Sequence, residues 1–341
     1  MRSLRPWAAA LPVLAIVATG CGAPSDARSG AGRQSTAGPV TVESCGRKVV
    51  FDSPPERVLA IGAEAPSLLV AAGAGDKVTH YAGSLNVPYE EKTRAVVEAA
   101  ERVAEDSHDV SYEMILSSGV DAVIGTDISA GVDIDALAAR LDKAGVQLLT
   151  VSGHCAGIEG RSTGGVGGFD LIYRDVETYG RVFGTEQAAA GAVEDMKRRV
   201  AAAGKRVDTR SGQRAVPLYV VTEGALGAYG GQSLASEQMS LLGLDNVFKD
   251  VPKRYFEPST EELVGSAPDV VFALYVPRGK GSSSLESDLD VVQALRSRPA
   301  LAGLKAVDED GGVLPLNYFY TSPGPLAVDG LELLADRLSD S

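Results

Sequence analysis

The chain has 341 residues, 45% of them apolar and 23% charged, so it carries enough apolar side chain for a sizeable core and is not a disordered polyelectrolyte. Its formal charge of −13 excludes a nucleic-acid-binding surface, which needs a basic stripe. Its three histidines, His80, His108 and His154, lie far apart and show neither H-x-H nor H-E-x-x-H spacing, which argues against a directly bound metal.

Residues 1–20 read as an export signal. Arg2 and Arg5 precede an apolar run from Trp7 to Val17, shorter than the roughly 20 residues a bilayer span requires. Ala18-Thr19-Gly20-Cys21 resembles the bacterial lipobox, with Ala18 where Leu is more usual. That resemblance implies lipidation of Cys21 and a membrane anchor on the extracytoplasmic face. The alternative is an ordinary cleaved signal that leaves Cys21 free. Residues 21–39 are rich in Gly, Ala and Ser and read as a flexible tether. Loss of residues 1–20 removes Arg2 and Arg5 and no acid, which takes the charge to −15. Two cysteines remain, Cys45 and Cys155, and in an oxidising compartment they are expected to pair; the alternative is two buried thiols.

Val40 to Phe51 reads as a hairpin turning near Gly46, and Pro54-Pro55 then interrupts the chain. Val58 to Ile61 is a short apolar strand ending at Gly62, followed by a helix with Pro66 in its first turn. Val120 to Ile124 and Leu148 to Val151 are further buried strands, with a helix from Ile134 to Ala144 between them. Phe169, Ile172, Tyr173, Val176, Tyr179 and Phe183 fall at helical spacing, and a second helix runs from about Thr185 to Ala203. Strand and helix then alternate again: Leu218 to Val221, Ser233 to Leu242, Val270 to Leu274, and Val291 to Leu295. The final helix, opened by Pro325, puts Ala327, Leu331, Leu334 and Leu338 on one face.

The second half echoes the first. Ser111, Glu113, Ser118, Asp121 and Val123 recur in register as Ser259, Glu261, Ser266, Asp269 and Val271, each time just before an apolar strand. About 300 residues with such an echo point to two like-folded α/β lobes with a cleft between them. The expected division is 40–168 for the first lobe, 169–184 for a single bridging helix and 185–341 for the second lobe.

Several segments together resemble the iron-siderophore branch of ABC-importer substrate-binding proteins, the class III periplasmic binding proteins. They are Cys45-Gly46-Arg47 leading into Pro54-Pro55-Glu56-Arg57-Val58, Ser152-Gly153-His154-Cys155, Asp175 to Gly184, Gly243 to Phe248, Ser259 to Asp269 and Gly324 to Leu331. The resemblance implies two Rossmann-like lobes joined by one long helix, no catalysis, a monomer, and delivery of a captured ligand to a permease driven by an ATPase. It covers ferric siderophore, cobalamin and haem binders alike. Iron would enter only inside a siderophore, with no resident cofactor. It also implies one docking acid on each lobe. Glu237 stands where the second belongs, whereas Ser67 occupies the first position with Glu64 nearby.

Ligands of α/β lobes sit at the carboxyl ends of strands. That rule nominates Glu64, Tyr81, Thr126 to Ser129 and Ser152 to His154 in the first half. In the second half it nominates Thr222, Glu223, Tyr229, Tyr275, Arg278 and Asn317 to Tyr320, including Tyr318 and Tyr320. Tyr255 and Phe256 are expected in a loop that closes over the cleft, and Arg254 joins Arg278 as a cationic fork beside Tyr255, Tyr275, Tyr318 and Tyr320. Guanidinium forks and tyrosines, with a flat apolar face and a hydroxyl, suit a bulky chelate. A tricatecholate would want more clustered Arg and Lys, so a hydroxamate is the favoured siderophore; a lipoprotein sensor or scaffold is the non-transport alternative. Gly160-Arg161-Ser162-Thr163-Gly164 matches G-x-S-x-G in letters only, since it sits in a glycine-rich loop without the strand and helix of a nucleophile elbow.

Overall fold

The computed structural model describes residues 38–126, 133–157, 168–206, 212–221, 226–277, 285–309 and 311–339. Cys21, Ser129, Thr222, Glu223, Arg278 and the Gly160–Gly164 segment, all singled out above, lie outside them. No helix among the described residues is long and apolar enough to cross a membrane.

The chain enters through a hairpin of β1 (Val40–Ser44) and β2 (Arg47–Phe51), whose alternation turns Val42, Val49 and Phe51 inward. Cys45 and Gly46 form its two-residue turn, both at positive φ, the geometry that matches the twist of paired strands. The first lobe is a parallel five-stranded sheet: β3 (Val58–Ile61), β4 (Val78–Ala82), β5 (Glu101–Ala104), β6 (Ala122–Gly125) and β7 (Gln147–Thr150), in the order β5-β4-β3-β6-β7. Helices α1 (Glu64–Ala71), α2 (Glu91–Ala99), α3 (Tyr112–Ser118) and α4 (Ile134–Lys143) connect its strands. β3 and β6 are buried at every position because helices cover both faces, which is why they read as unbroken apolar runs.

Two helices, α5 (Gly168–Phe183) and α6 (Glu186–Gly204), follow. The second lobe then adds β8 (Arg214–Tyr219), β9 (Gly227–Tyr229), α7 (Leu234–Leu241), β10 (Asp245–Asn246), β11 (Tyr255–Phe256), α8 (Thr260–Gly265), β12 (Val270–Tyr275), α9 (Asp288–Arg296), α10 (Lys305–Asp308), β13 (Val313–Asn317) and α11 (Leu326–Ser339). Its sheet runs β11-β9-β8-β12-β13, with β10 also paired to β8. β8, β12 and β13 are parallel, while β9 and β11 form an antiparallel edge.

The bridge differs from the sequence expectation. The lobes are linked by α6, not by residues 169–184 alone. At the start of α5 the Phe169 N–H donates to Glu237 of α7 at 3.3 Å, and just beyond its end the Thr185 hydroxyl donates to the Ala72 carbonyl at 2.6 Å. From that first-lobe contact α6 runs back to the second lobe. There Arg199 is bidentate to Glu332 (3.1 and 2.6 Å) and also bonds Asp329, and Arg206 meets Asp336 at 2.9 Å. Spacing revealed both helices but not which one makes the final crossing.

The internal echo has a structural meaning. Ser111 caps α3 by accepting from the Met114 N–H, and Ser259 caps α8 in a capping box with Glu262. Arg57, just before β3, donates to the Ser118 carbonyl at 2.8 Å while its own N–H donates to Asp121 at 2.9 Å. Arg214, opening β8, donates to the Ser266 carbonyl at 2.6 Å while its N–H donates to Asp269 at 3.0 Å. One Arg–Ser–Asp tie fastens a helix end to two strand starts in each lobe.

Candidate functional site

The carboxyl ends of the first-lobe strands carry a polar, tightly fixed floor. The chain leaves β3 through Gly62 at φ +84, and a Cβ there would stand 2.2 Å from the Thr126 hydroxyl, so glycine is needed for both reasons. Thr126 itself is buried. Glu64, in the first turn of α1, is only 6% exposed. His154 Nε2 stands 3.7 Å from its Oε1, an ion-pair separation longer than a hydrogen bond. Burial pushes the Glu64 carboxyl up, but the facing His154, and Ser322 more weakly, outweigh it and hold the group below the usual carboxylate range.

The turn that carries His154 is pinned twice. The Cys45–Cys155 disulfide is present, with Cα atoms 5.2 Å apart, and ties the turn to the β1–β2 hairpin. On its other side Asp175 of α5 takes both the Ser152 N–H (2.8 Å) and the Ser152 hydroxyl (2.5 Å). Burial raises the Asp175 carboxyl to about 7 despite those bonds.

The second lobe offers an aromatic wall. Arg254 donates to the Tyr318 hydroxyl at 2.9 Å and lies 5.9 Å from the centre of the Tyr229 ring. Tyr219 meets Tyr318 edge-on at 5.7 Å, Tyr255 meets Tyr229 at 5.5 Å, and Phe319 packs on Tyr318 at 5.7 Å. Tyr318, then Tyr229 and Glu64, hold the Arg254 guanidinium firmly protonated, so Glu64 lies within electrostatic reach of this wall. The lobes also touch directly. A side chain on Gly153 would collide with the Pro323 ring, and Gly324 packs on the Glu64 stem.

The structure places Glu64, His154 and Thr126 in the floor and Tyr229, Arg254, Tyr255 and Tyr318 in the wall, and leaves Tyr81, Tyr275 and Tyr320 apart. Tyr81 is 1% exposed, its hydroxyl donating to the Ser84 carbonyl at 2.8 Å with burial raising it to about 12, so it supports the floor from beneath. Tyr275 turns to the opposite face of its sheet and donates to Asp288 at 2.9 Å, within the core that also holds Val271 and Ala273. Tyr320 makes no ring contact with the wall and feels the charges of Asp329 and Arg337 on α11 instead. Tyr255 and Phe256 are a short edge strand, not a loop: Tyr255 is 41% exposed and packs over Gly227, where any Cβ would collide with its ring. Tyr219 escaped sequence reading, although its place at the end of β8 obeys the strand-end rule.

The two proposed docking acids fare differently. Glu237 is half-buried, its carboxylate accepting from the Phe169 N–H at the start of α5. Glu64 is enclosed between the lobes and in this conformation offers no outward surface to a partner.

The chain matches the family model of the periplasmic binding proteins over residues 68–311. It is similar to the crystal structure of an ABC-type Fe3+-hydroxamate transport system from Saccharomonospora viridis DSM 43017, with 31% identity and a TM-score of 0.73, covering 88% of this chain and 98% of that one. It is 23% identical over 338 residues to YvrC, an uncharacterized ABC transporter substrate-binding lipoprotein of Bacillus subtilis strain 168, covering 97% of this chain and 96% of that protein. A periplasmic heme-binding protein from Pseudomonas aeruginosa shares the fold at 19% identity, with a TM-score of 0.66, covering 84% of this chain and 94% of that one.

Proposed function

The chain belongs to the periplasmic binding protein family, a class of binders and not of enzymes, and from that premise we propose that it captures a ferric hydroxamate siderophore between its lobes for an ABC importer. The observation that carries the reading is the wall of Tyr219, Tyr229, Tyr255 and Tyr318 around Arg254, set opposite the buried carboxylate of Glu64. Tyrosine faces suit the apolar rim of an iron chelate and their hydroxyls suit its oxygens. A tricatecholate carries a high negative charge and would meet Glu64, itself an anion, beside Arg254, the one guanidinium of the wall among the described residues. A hydroxamate complex is neutral or nearly so and suits that balance. The hydroxamate system of S. viridis, the 31% relative, agrees in ligand class.

Presentation to a permease and its ATPase follows from the same reading, with Glu237 as the docking acid of the second lobe. Lipidation of Cys21, in keeping with the lipoprotein name of the B. subtilis relative, would hold the binder at the membrane. The test is a thermal-shift and calorimetric screen of the purified chain against a ferric trihydroxamate, a ferric tricatecholate, haem, cobalamin and free Fe3+. A ligand at a hundred times its Kd stabilises by about 2.7 kcal/mol. The trihydroxamate complex is expected to give that response and free iron none; a response confined to haem or cobalamin would overturn the hydroxamate reading while keeping the transport role.

A further inference from the structure

We infer that Leu85 sets specificity in the cleft: it packs against the methylene linkers that join the hydroxamate groups of a ferric chelate, and so favours a linked trihydroxamate over an unlinked one. This rests on the hydroxamate reading above.

Leu85 belongs to the loop of residues 83–90, which follows β4 and leads into α2. β4 pairs with β3, whose end opens into the floor, and the Gly62 N–H joins the two ends by donating to the Ala82 carbonyl at 2.9 Å. The loop is fastened to the floor again where the Tyr89 hydroxyl donates at 2.9 Å to the carbonyl of Ala63, the neighbour of Glu64. Leu85 therefore stands at the carboxyl edge of the first sheet, where α/β lobes receive their ligands.

The loop is held along its length. Arg102 donates to the Gly83 carbonyl at 2.8 Å, the Tyr81 hydroxyl to the Ser84 carbonyl at 2.8 Å, and Arg94 to the Val87 carbonyl at 3.2 Å. The Asn86 N–H donates to the Ser84 hydroxyl at 3.1 Å, and Val87 and Tyr89 are buried. Between these anchors Leu85 is 40% exposed. An exposed leucine is by itself ordinary. This one is held out by backbone that is already ordered, so a ligand that covers it gains apolar burial without the entropy cost of ordering a loop. The other exposed large apolar side chains among the described residues are Tyr255, in the wall, and Val50, Leu116 and Leu289, on the hairpin, α3 and α9.

The floor beside Leu85 is polar, with Glu64, His154 and Thr126. A ferric trihydroxamate turns its oxygens inward to the iron and its linkers outward. The tyrosine wall covers linkers on the side of the second lobe, and Leu85 gives the first lobe an apolar contact for those on the other side.

The test compares two probes on the full chain by calorimetry: a linear ferric trihydroxamate with pentamethylene linkers, and ferric tris(acetohydroxamate), which has none. Leu85→Ser should weaken the linked chelate about 10-fold, the scale of one lost leucine contact, and leave the unlinked one within about twofold of the wild type. Leu85→Met, which stays apolar, should keep the linked chelate within about threefold. Leu116→Ser, at a side chain 39% exposed on α3, should alter neither. Undiminished binding of the linked chelate by Leu85→Ser overturns the inference and leaves the hydroxamate reading standing. So does an equal loss for both chelates, which is the mark of a disturbed loop. Should the unlinked chelate bind too weakly to measure, Leu85→Met decides, and a loss as large as that of Leu85→Ser overturns the inference. If the wild type binds neither chelate, the hydroxamate reading itself fails, and the inference with it.

Discussion

At the amino-terminal edges of their sheets the two lobes are copies, and at the carboxyl edges they have little in common. The Arg57–Ser118–Asp121 tie of the first lobe is repeated by Arg214, Ser266 and Asp269 in the second, atom for atom in its hydrogen bonds. The opposite edges face the cleft. There the first lobe presents a carboxylate, an imidazole and a turn held by a disulfide, and the second presents a guanidinium among aromatic rings. Repeated framework and divergent rim are what strand-end recognition requires, because loops after strands can change without disturbing the strand starts. The first lobe supplies a rigid charged floor and the second an apolar wall.

That comparison is broken most easily at the disulfide. The bridge closes a separation of 110 residues and belongs wholly to the first lobe. In the chain-entropy view a closure of that length contributes about 4–5 kcal/mol. Replacing Cys45 and Cys155 together with serine should lower stability by that order in urea unfolding, with loss of amide protection beginning in the first lobe. A loss under about 1 kcal/mol, or one starting in the second lobe, would contradict the division of roles.

The next largest effect is a pH dependence. Asp175 has its carboxyl raised by burial to about 7, whereas an unfolded aspartate titrates near 3.9. Between those values the folded state holds a proton that the unfolded state has lost, so this group makes stability fall as pH rises from about 4 to about 7. The change is on the order of a few kcal/mol. Asp175→Asn keeps an acceptor for the Ser152 N–H and should flatten that part of the stability curve. Identical slopes in variant and wild type would remove Asp175 from the explanation.

The wall is tested by Arg254→Ala. It should cost at least about tenfold in affinity for a ferric trihydroxamate, or roughly 1.4 kcal/mol, with the melting temperature of the free protein little changed. An affinity left intact would mean that the tyrosines hold the ligand without it.

The smallest effect sharpens the likeness of the lobes. Asp121→Ala and Asp269→Ala each remove an acceptor from an exposed backbone N–H and should each cost about 1 kcal/mol in urea unfolding. Losses that differ by more than about 1 kcal/mol would show that the two ties are alike in form only.

Much of this arrangement was legible in the sequence. The hairpin, the buried strands β3, β6, β7, β8 and β12, the two central helices, the pairing of Cys45 with Cys155 and the echo between the halves all left local marks in apolar periodicity or residue type. The tyrosines were only half legible. The strand-end rule would have found Tyr219 at the end of β8, whereas Tyr229, expected in a glycine-rich loop, lies in β9, a short antiparallel strand that local pattern did not reveal. The rule could not say which side of the sheet Tyr275 faces, because β12 is buried at every position and alternation carries no sign when both faces are covered. Tyr81 failed for a similar reason, being one of the fully buried residues of its lobe. The antiparallel pairing of Tyr255 and Phe256 with β9 depends on the path of the preceding chain, which no local pattern encodes. The bridge went astray because two helices, α5 and α6, stand side by side, and periodicity does not say where a chain changes lobe.

Calorimetric titration of the purified chain with a ferric trihydroxamate, beside a ferric tricatecholate, decides whether a ferric hydroxamate is held between the charged floor and the tyrosine wall. Saturable binding of the hydroxamate complex in the micromolar range or tighter, with the catecholate complex much weaker, is the predicted result. No binding of the hydroxamate complex, or a clear preference for the catecholate, would contradict it.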